Sequence, residues 1–227
     1  MTDPSALQAT GLRLDNILIA LGSRTLVSID HHIAPGDVLT VMGPSGSGKS
    51  TLLAFIGGFL DPAFSARGHV NCNGADITDA PPQARRAGLL FQDTLLFPHM
   101  SVGGNLVFAV PQSVTGRAAR RDYAGDALCD VGLDGFFDRD PDTLSGGQKA
   151  RVALARVLVS DPAFMLLDEP FSKLDAGLRD QIRRLVFERA KARRLPVLLV
   201  THDAADAEAA RGALIELAPA SADGNGT

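Results

Sequence analysis

The fold is decided by residues 38–51, VLTVMGPSGSGKST, in which an apolar run leads into a glycine-rich loop ahead of a second apolar run, Leu52–Phe55. The pattern predicts a buried strand, a loop and the start of a helix. Glycine lets successive backbone N–H groups turn inward, where they add to the positive end of the following helix, so the loop suits a polyphosphate. In this G-x-x-x-x-G-K-S spacing, Lys49 is expected to reach the β- and γ-phosphates and the Ser50 hydroxyl to ligate Mg²⁺.

The predicted phosphate-binding residues are Gly43, Pro44, Ser45, Gly46, Ser47, Gly48, Lys49, Ser50 and Thr51. A merely flexible Gly/Ser loop is the alternative, and the strand and helix patterns on either side disfavour it.

Length and composition fit one folded unit with an ample core, since the chain has 227 residues of which 45% are hydrophobic. A net charge of −4 argues against a general binder of nucleic-acid backbones. No apolar run approaches the roughly 18 residues of a membrane span, and no basic segment opens a signal peptide. Cys72 and Cys129 lie far apart without a neighbouring His set, so two reduced structural thiols are favoured over a metal site or a disulfide.

The first part of the chain is expected to enter the fold as antiparallel β structure, with a turn at Pro35-Gly36-Asp37 before the strand at 38–42. Hydrophobic spacing and turn residues predict short β segments over 6–42, a helix from about 48 to 59, a strand over 68–74 and a short buried strand over 87–91.

Helical spacing dominates after residue 100. The region 101–138 carries helical patterns, the second of which ends at Gly132, and it predicts an inserted helical subdomain. Strands then alternate with helices, which implies a mostly parallel, doubly wound sheet. The predicted elements are a helix over 148–160, a buried strand over 164–168, a helix over 177–194, a strand over 196–200 and a last strand over 214–217. The small, polar tail 218–227 is expected to be disordered.

Two acidic residues, Asp168 and Glu169, end the buried strand at 164–168, where open α/β sheets bind their ligands. Asp168 is expected to support Mg²⁺, directly or through water, and Glu169 to accept a proton from a water attacking the γ-phosphate. The alternative, a solvated acidic pair at a strand end, is disfavoured by the phosphate loop.

A second stretch suited to an anion is Leu144-Ser145-Gly146-Gly147-Gln148, which places a hydroxyl and two glycines just ahead of a helix. By itself it is equally typical of an ordinary helix cap with a glycine turn.

The order of the motifs along the chain carries a family resemblance. The chain resembles the nucleotide-binding subunit of an ATP-binding cassette (ABC) transporter, whose motifs match here at 43–51, Gln92, 144–148, 166–169, 172–175 and His202. These six motifs span nearly the whole chain. The resemblance implies an α/β fold with a P-loop NTPase core and mostly parallel sheet, an antiparallel β subdomain and an inserted helical subdomain at about 93–160. It implies one ATPase domain over 1–217.

The resemblance also implies a head-to-tail homodimer in which each ATP lies between the phosphate loop of one subunit and the 144–148 signature of the other. Ser145 and Gly147 would then cap the γ-phosphate in trans, while His202 would hold the γ-phosphate and orient Glu169. Standing alone, His202 would more simply be a strand-end histidine. The implied catalytic residues are Glu169, His202, Gln92 and Lys49, the signature contacts Ser145, Gly146, Gly147 and Gln148, the Mg²⁺ residues Ser50, Gln92 and Asp168, and the dimer-interface residue Asp175.

Within the family, the segments Phe97–Val102 and Leu174–Arg179 resemble ATPase subunits of bacterial importers for iron, sulfate, polyamines or thiamine. That resemblance implies a peripheral protein on the cytoplasmic face of the inner membrane. Its partners would be integral-membrane permease subunits and, indirectly, a periplasmic substrate-binding protein, but not nucleic acid. Residues 93–110 would receive the permease, although packing within the helical subdomain is an alternative. No regulatory domain is expected after the cassette.

Two other functions fit the ATPase motifs. A cell-division or lipoprotein-release ATPase shares every catalytic motif and differs only in the importer-like flanking segments. A nucleic-acid or ribosome factor normally has two tandem cassettes or a long coiled-coil insertion, and this sequence shows neither.

One departure from the family pattern concerns the base of the nucleotide. Family members usually stack an aromatic ring on adenine at a position that falls here near Ala20 or Leu21, and no Phe, Tyr or Trp occurs before Phe55. His31 or His32 would be the available substitutes. We therefore expect weak nucleotide binding and poor discrimination between ATP and GTP.

Overall fold

The computed structural model describes residues 10–217. The predicted disordered tail 218–227 and the first residues of the predicted β entry, 6–9, lie outside the described residues.

The described chain contains nine strands and six α-helices. The strands are β1 Leu12–Leu21, β2 Arg24–Ile33, β3 Val38–Met42, β4 Phe64–Cys72, β5 Ala75–Asp76, β6 Ala87–Phe91, β7 Phe164–Asp168, β8 Val197–Thr201 and β9 Ala213–Glu216. The helices are α1 Lys49–Gly57, α2 Val102–Ala109, α3 Arg117–Asp130, α4 Gly146–Val159, α5 Ala176–Ala192 and α6 Ala204–Ala210. Within the described residues, one compact unit comprises 10–87, 163–169 and 190–217, and a second comprises 88–162 and 170–189.

An antiparallel sheet in the first unit has the strand order β2-β1-β4-β5. Its core side is built from buried β-branched and leucine side chains, among them Leu12, Leu14 and Ile19. The register of β1 shifts around Asn16, whose φ of +49° marks a local bulge. The predicted antiparallel entry is confirmed, while β4 begins four residues before the predicted strand at 68–74.

A parallel sheet in the first unit places β7, β8, β3 and β9 side by side in that order. Strands β7 and β8 are almost wholly buried, which is why they read as continuous apolar runs rather than alternating patterns. Parallel strands end at the same edge of a sheet. The phosphate loop, the acidic pair and His202 therefore follow β3, β7 and β8 at one edge, as the fold prediction requires.

A buried guanidinium in the first unit holds the end of α1. Arg85 donates to Phe55 O at 2.8 Å, Ile56 O at 3.0 Å and Ala80 O at 2.7 Å, and it also bonds Thr78 O. The side chain thus gives a charged donor to carbonyls in the last turn of the helix, which ends at Gly58. Burial lowers the pKa of Arg85 from its ordinary value, but the group stays charged at neutral pH.

Replacing Arg85 with Ala is expected to destabilise the fold by about 3 kcal/mol, because several buried carbonyls would lose a charged donor at once. Urea unfolding followed by circular dichroism measures the change. Arg67→Ala is the matched control, since that arginine is exposed in the same unit and its loss should leave the free energy of unfolding nearly unchanged. Equal urea midpoints for the two variants would contradict a stabilising role of Arg85 at the end of α1.

The second unit is built on helices, and α4 is its most buried element, with Val152, Leu154 and Ala155 shielded from solvent. Helix α4 starts two residues before the predicted helix at 148–160, because Ser145 caps it. The helix predicted over 177–194 is α5, displaced by one or two residues at each end. None of the helices in residues 10–217 is long and apolar enough to cross a membrane.

Candidate nucleotide-binding site

The phosphate loop joins β3 to α1 and depends on glycine at defined points. Gly46 and Gly48 have φ of +78° and +93°, in the region that L side chains rarely adopt. A Cβ on Gly48 would also lie 2.8 Å from Val27 Cγ2. The loop is closed by a hydrogen bond from Ser47 N to Pro44 O at 3.2 Å. The backbone therefore takes the turn that the glycine spacing predicts.

The start of α1 lacks the side-chain cap that α2, α4 and α6 carry. Ser101, Ser145 and Asp203 each accept a backbone N–H at the start of α2, α4 and α6. Gly48 offers no side-chain cap to α1, and the first turn of α1 holds no acid. The free N–H groups and the positive end of the helix dipole are thus available to an anion.

Lys49 is buried and lies inside the loop. Its Nζ donates to Gly43 O at 2.8 Å and to Pro44 O at 3.0 Å. An ammonium has three N–H donors, so two hold the loop and one remains for a phosphate oxygen. The loop carbonyls therefore fix the position of the positive charge before any ligand arrives.

Asp168 and Ser50 bring hard oxygen ligands together beside the loop. The Ser50 hydroxyl donates to Asp168 Oδ1 at 3.5 Å. Burial raises the pKa of Asp168 above its ordinary value, the Ser50 hydrogen bond opposes the rise, and the charge of Glu169 adds to it. A hydroxyl and a carboxylate are a donor set that Mg²⁺ accepts when phosphate oxygens complete its coordination, so the residues fit the metal.

Glu169 and His202, which the sequence predicts as catalytic, meet at the ends of β7 and β8. His202 Nδ1 lies 3.0 Å from Glu169 Oε1. Glu169 takes a left-handed backbone with φ of +45°, and its N–H donates to Val200 O at 2.9 Å. The strand pairing thus continues one residue past β7, and the carboxylate is directed at the histidine.

The signature segment lies in the second unit, where it begins α4 with a capping box. Ser145 Oγ accepts from Gln148 N at 3.3 Å, and Gln148 Oε1 accepts from Ser145 N at 3.0 Å. The segment is therefore a helix cap in the single chain, as the simpler interpretation holds. The Ser145 O–H can still donate, so the cap leaves the hydroxyl able to bind a phosphate oxygen.

The two signature glycines have different surroundings within the chain. A Cβ on Gly147 would lie 2.4 Å from Leu178 Cδ1, whereas a Cβ on Gly146 would meet nothing within 4 Å. Gly147 thus serves packing inside the second unit. Gly146 has no such internal reason to be glycine.

We expect Gly147→Ala to lower the melting temperature, because Leu178 must move, by an amount equivalent to about 1–3 kcal/mol. Gly146→Ala should fold as well as the wild type, yet slow ATP hydrolysis if a partner's nucleotide approaches that face. Calorimetry and an ATPase assay on both variants separate the two effects. A Gly146→Ala protein with wild-type turnover would contradict an approach of nucleotide to Gly146.

Gln92 and Asp175 are exposed residues of the second unit. Asp175 Oδ1 accepts from Leu178 N at 3.1 Å and so caps α5. Their roles as magnesium sensor and interface residue stay predictions. In the second unit, Lys173 forms an ion pair with Asp93, which adjoins Gln92. The sequence did not predict this pair, because isolated charged residues leave no periodic pattern.

The solvent exposure of Ala20 and Leu21 distinguishes the two candidate positions for a contact with adenine. Ala20 is 9% exposed and Leu21 46% exposed, so only Leu21 presents its side chain to solvent. His32 Nε2 lies 2.7 Å from Thr10 O, which engages that ring. Of the two predicted positions, Leu21 is the one able to contact a ligand.

A glycine loop between a parallel strand and a helix, with an acidic strand end beside it, defines a P-loop nucleoside triphosphatase. The profile of the ABC transporter family matches residues 26–172. The chain therefore belongs to the ABC transporter family and is its ATP-binding, ATP-hydrolysing type of subunit.

Curated relatives agree with this assignment. The chain is 49% identical over 187 residues to the uncharacterized ABC transporter ATP-binding protein YnjD of Escherichia coli strain K12, covering 82% of this chain and 86% of that protein. It is 43% identical over 197 residues to the thiamine import ATP-binding protein ThiQ of Jannaschia sp. strain CCS1, covering 87% and 84%. Relatives named as import ATP-binding proteins confirm the import ATPase predicted from the sequence.

The solved dimeric structure of MJ0796, a bacterial ABC transporter cassette, resembles this chain with a TM-score of 0.73 and 29% identity, covering 91% of this chain and 94% of that one. The fold prediction of an ABC cassette is thereby confirmed.

Proposed function

We propose that this chain hydrolyses ATP as a homodimer bound to the cytoplasmic face of a membrane permease, and so drives import of a substrate delivered by a periplasmic binding protein. The observation that carries the proposal is the contact between Glu169 and His202 at the sheet edge that also presents the phosphate loop. A base, its partner and a polyphosphate cradle at one edge are what hydrolysis of a nucleoside triphosphate requires.

ATP binds through three elements of the first unit. The N–H groups of the loop and of the start of α1 face the phosphates, and Lys49 offers its remaining donor to them. Ser50 and Asp168 would hold Mg²⁺, which neutralises charge developing on the phosphate oxygens. We assign Gln92 as the sensor of the metal and of the attacking water, as its motif implies.

Glu169 accepts the proton of the attacking water, and His202 fixes the carboxylate that does so. A hydrogen bond at 3.0 Å limits the rotation of a long side chain that is only 28% exposed. The water is thereby activated in one orientation, which is the main contribution a protein makes to phosphoryl transfer.

A partner subunit completes each site through Ser145, Gly146, Gly147 and Gln148. Three observations support this proposal: the Ser145 O–H keeps its donor capacity, Gly146 faces open space in the single chain, and MJ0796 is described as dimeric. Asp175 lies at the same interface in our proposal and links the two sites.

The proposed permease surface lies within 93–110 of the second unit. Leu95 and Phe108 are 57% and 67% exposed, and the Phe97 and Phe108 rings pack edge to face with centroids 5.3 Å apart. Exposed apolar side chains in one segment favour a protein partner over solvent. We propose that 93–160 forms the helical subdomain of a single cassette, 1–217, that is peripheral to the membrane.

A mixing experiment tests the proposed dimer. Lys49→Ala removes the ammonium group that binds phosphate. Ser145→Arg places a bulky side chain in the 144–148 signature, so each homodimer should be inactive. The mixed dimer retains one intact site and is expected to bind ATP across the interface, which light scattering detects as ATP-dependent dimerisation. Glu169→Gln should bind ATP without hydrolysing it rapidly, and the proposal fails if this variant, loaded with ATP, stays monomeric at high concentration.

A further inference from the structure

The turn that presents His202 is held from inside the protein by a buried hydroxyl and carboxylate, and we propose that Thr201 and Asp206 are positioning residues for ATP hydrolysis. The inference rests on the proposed function, in which His202 orients Glu169. Neither residue touches the nucleotide in this proposal, and both act through the direction that they impose on His202.

Thr201 is the last residue of β8, and its side chain is turned into the protein. Its Oγ1 donates to Asp206 Oδ2 at 2.8 Å and accepts from Asp203 N at 3.0 Å. Thr201 is 1% exposed and Asp206 2% exposed. The two side chains thus form a buried polar contact between a residue before His202 and a residue after it.

His202 follows Thr201 at the bend after β8, so the backbone that carries His202 starts from a residue whose side chain is held inside the protein. The His202 side chain is 62% exposed. An exposed imidazole has few packing contacts to fix it, and its direction is therefore set by the backbone that carries it. That backbone is fixed before His202 by the Thr201 hydroxyl and after it by Asp203 N.

Simple capping of α6 does not account for Asp206. Asp203 already caps that helix, because its Oδ1 accepts from Ala205 N at 2.9 Å. Asp206 lies one turn in, where its carboxylate is buried although solvent would hydrate it better. The bond to Thr201 contributes to offsetting the cost of burial, and this contact favours a role of Asp206 in fixing the turn.

The same turn is tied to the strand that carries Glu169. The N–H of Glu169 donates to Val200 O, one residue before Thr201. Glu169 and His202 therefore leave adjacent strands from backbones that are hydrogen-bonded to each other. A small rotation of the backbone at 201–203 would change the distance between His202 Nδ1 and Glu169 Oε1.

Kinetics of the full chain tests the proposal. Thr201→Val keeps the shape and removes the hydroxyl, and Asp206→Ala removes the acceptor. Both should lower kcat for ATP by about 10-fold or more while KM changes little. Thr201→Ser keeps the hydroxyl and should restore turnover, and the double variant should be no slower than the slower single variant, since both remove one contact. Glu208→Gly is the matched control, because it weakens α6 at an exposed position outside the contact.

A second readout does not depend on turnover. The side-chain ¹⁵N resonances of the five histidines are assigned with His202→Ala, and Thr201→Val should move His202 Nδ1 toward its position in Glu169→Ala. Unchanged His202 resonances in both Thr201→Val and Asp206→Ala would overturn the inference, as would an equal loss of kcat in Glu208→Gly. A wild-type chain that binds but does not hydrolyse ATP would overturn the proposed function instead, and the resonances would still decide the positioning role.

Discussion

Glu169→Gln is expected to bind ATP with nearly unchanged affinity and to hydrolyse it about 10²–10⁴ times more slowly, the usual loss when a general base is removed. The substitution keeps the size of the side chain and leaves the contacts of Lys49 and Ser50 in place. Nucleotide should therefore accumulate in a closed dimer. Single-turnover hydrolysis and size-exclusion chromatography with light scattering measure the two effects.

The control for this variant is Glu188→Gln, which removes an exposed carboxylate of the second unit. It should hydrolyse ATP at the wild-type rate. Near-wild-type turnover of Glu169→Gln in the presence of the permease would contradict the assignment of Glu169 as the general base. Loss of ATP binding by the same variant would instead place Glu169 among the binding residues.

Leu21→Tyr is expected to tighten ATP binding by about 5- to 150-fold, since stacking of a base on an aromatic ring contributes about 1–3 kcal/mol. The position is exposed at the end of β1 and carries no ring in this chain. In the wild type, recognition should rest on the triphosphate, so ATP and GTP should bind similarly. Titration of both nucleotides into wild type and variant gives the affinities.

Leu214→Tyr is the matched control, because Leu214 is also half exposed, lies in the same unit and belongs to the edge strand β9. It should leave nucleotide affinity unchanged. A wild-type chain that prefers ATP over GTP at least a hundredfold would refute the missing-ring hypothesis. Tyrosine at Ala20 is a poor alternative, since that side chain is buried.

The buried parallel strands were predictable because burial on both faces leaves a continuous apolar run, as at Phe164–Asp168 and Val38–Met42. Strand β4 was harder, since its first residues, Phe64–Arg67, alternate between half-buried and exposed side chains and include no fully buried one. The bulge at Asn16 left no signal either, because a single residue with positive φ does not alter hydrophobic spacing.

The candidate site shows the same division. The phosphate loop and the acidic pair were predictable from spacing, and the structure brings Glu169 and His202 together. Thr201, Asp206 and Arg85 were not singled out, because a buried polar contact between distant or neighbouring residues has no period in the sequence. Contacts made with a partner subunit lie beyond any single chain.

The uncapped start of α1 has a thermodynamic consequence for the folded subunit itself. A ligand that binds only the native state adds RT ln(1 + [L]/Kd) to the free energy of unfolding, about 2.7 kcal/mol when ATP exceeds its dissociation constant a hundredfold. A typical domain has only about 5–15 kcal/mol in total. Because Gly48 supplies no cap of its own, a nucleotide in the proposed site would take the place of the missing cap, and the subunit should then resist unfolding better with nucleotide than without it.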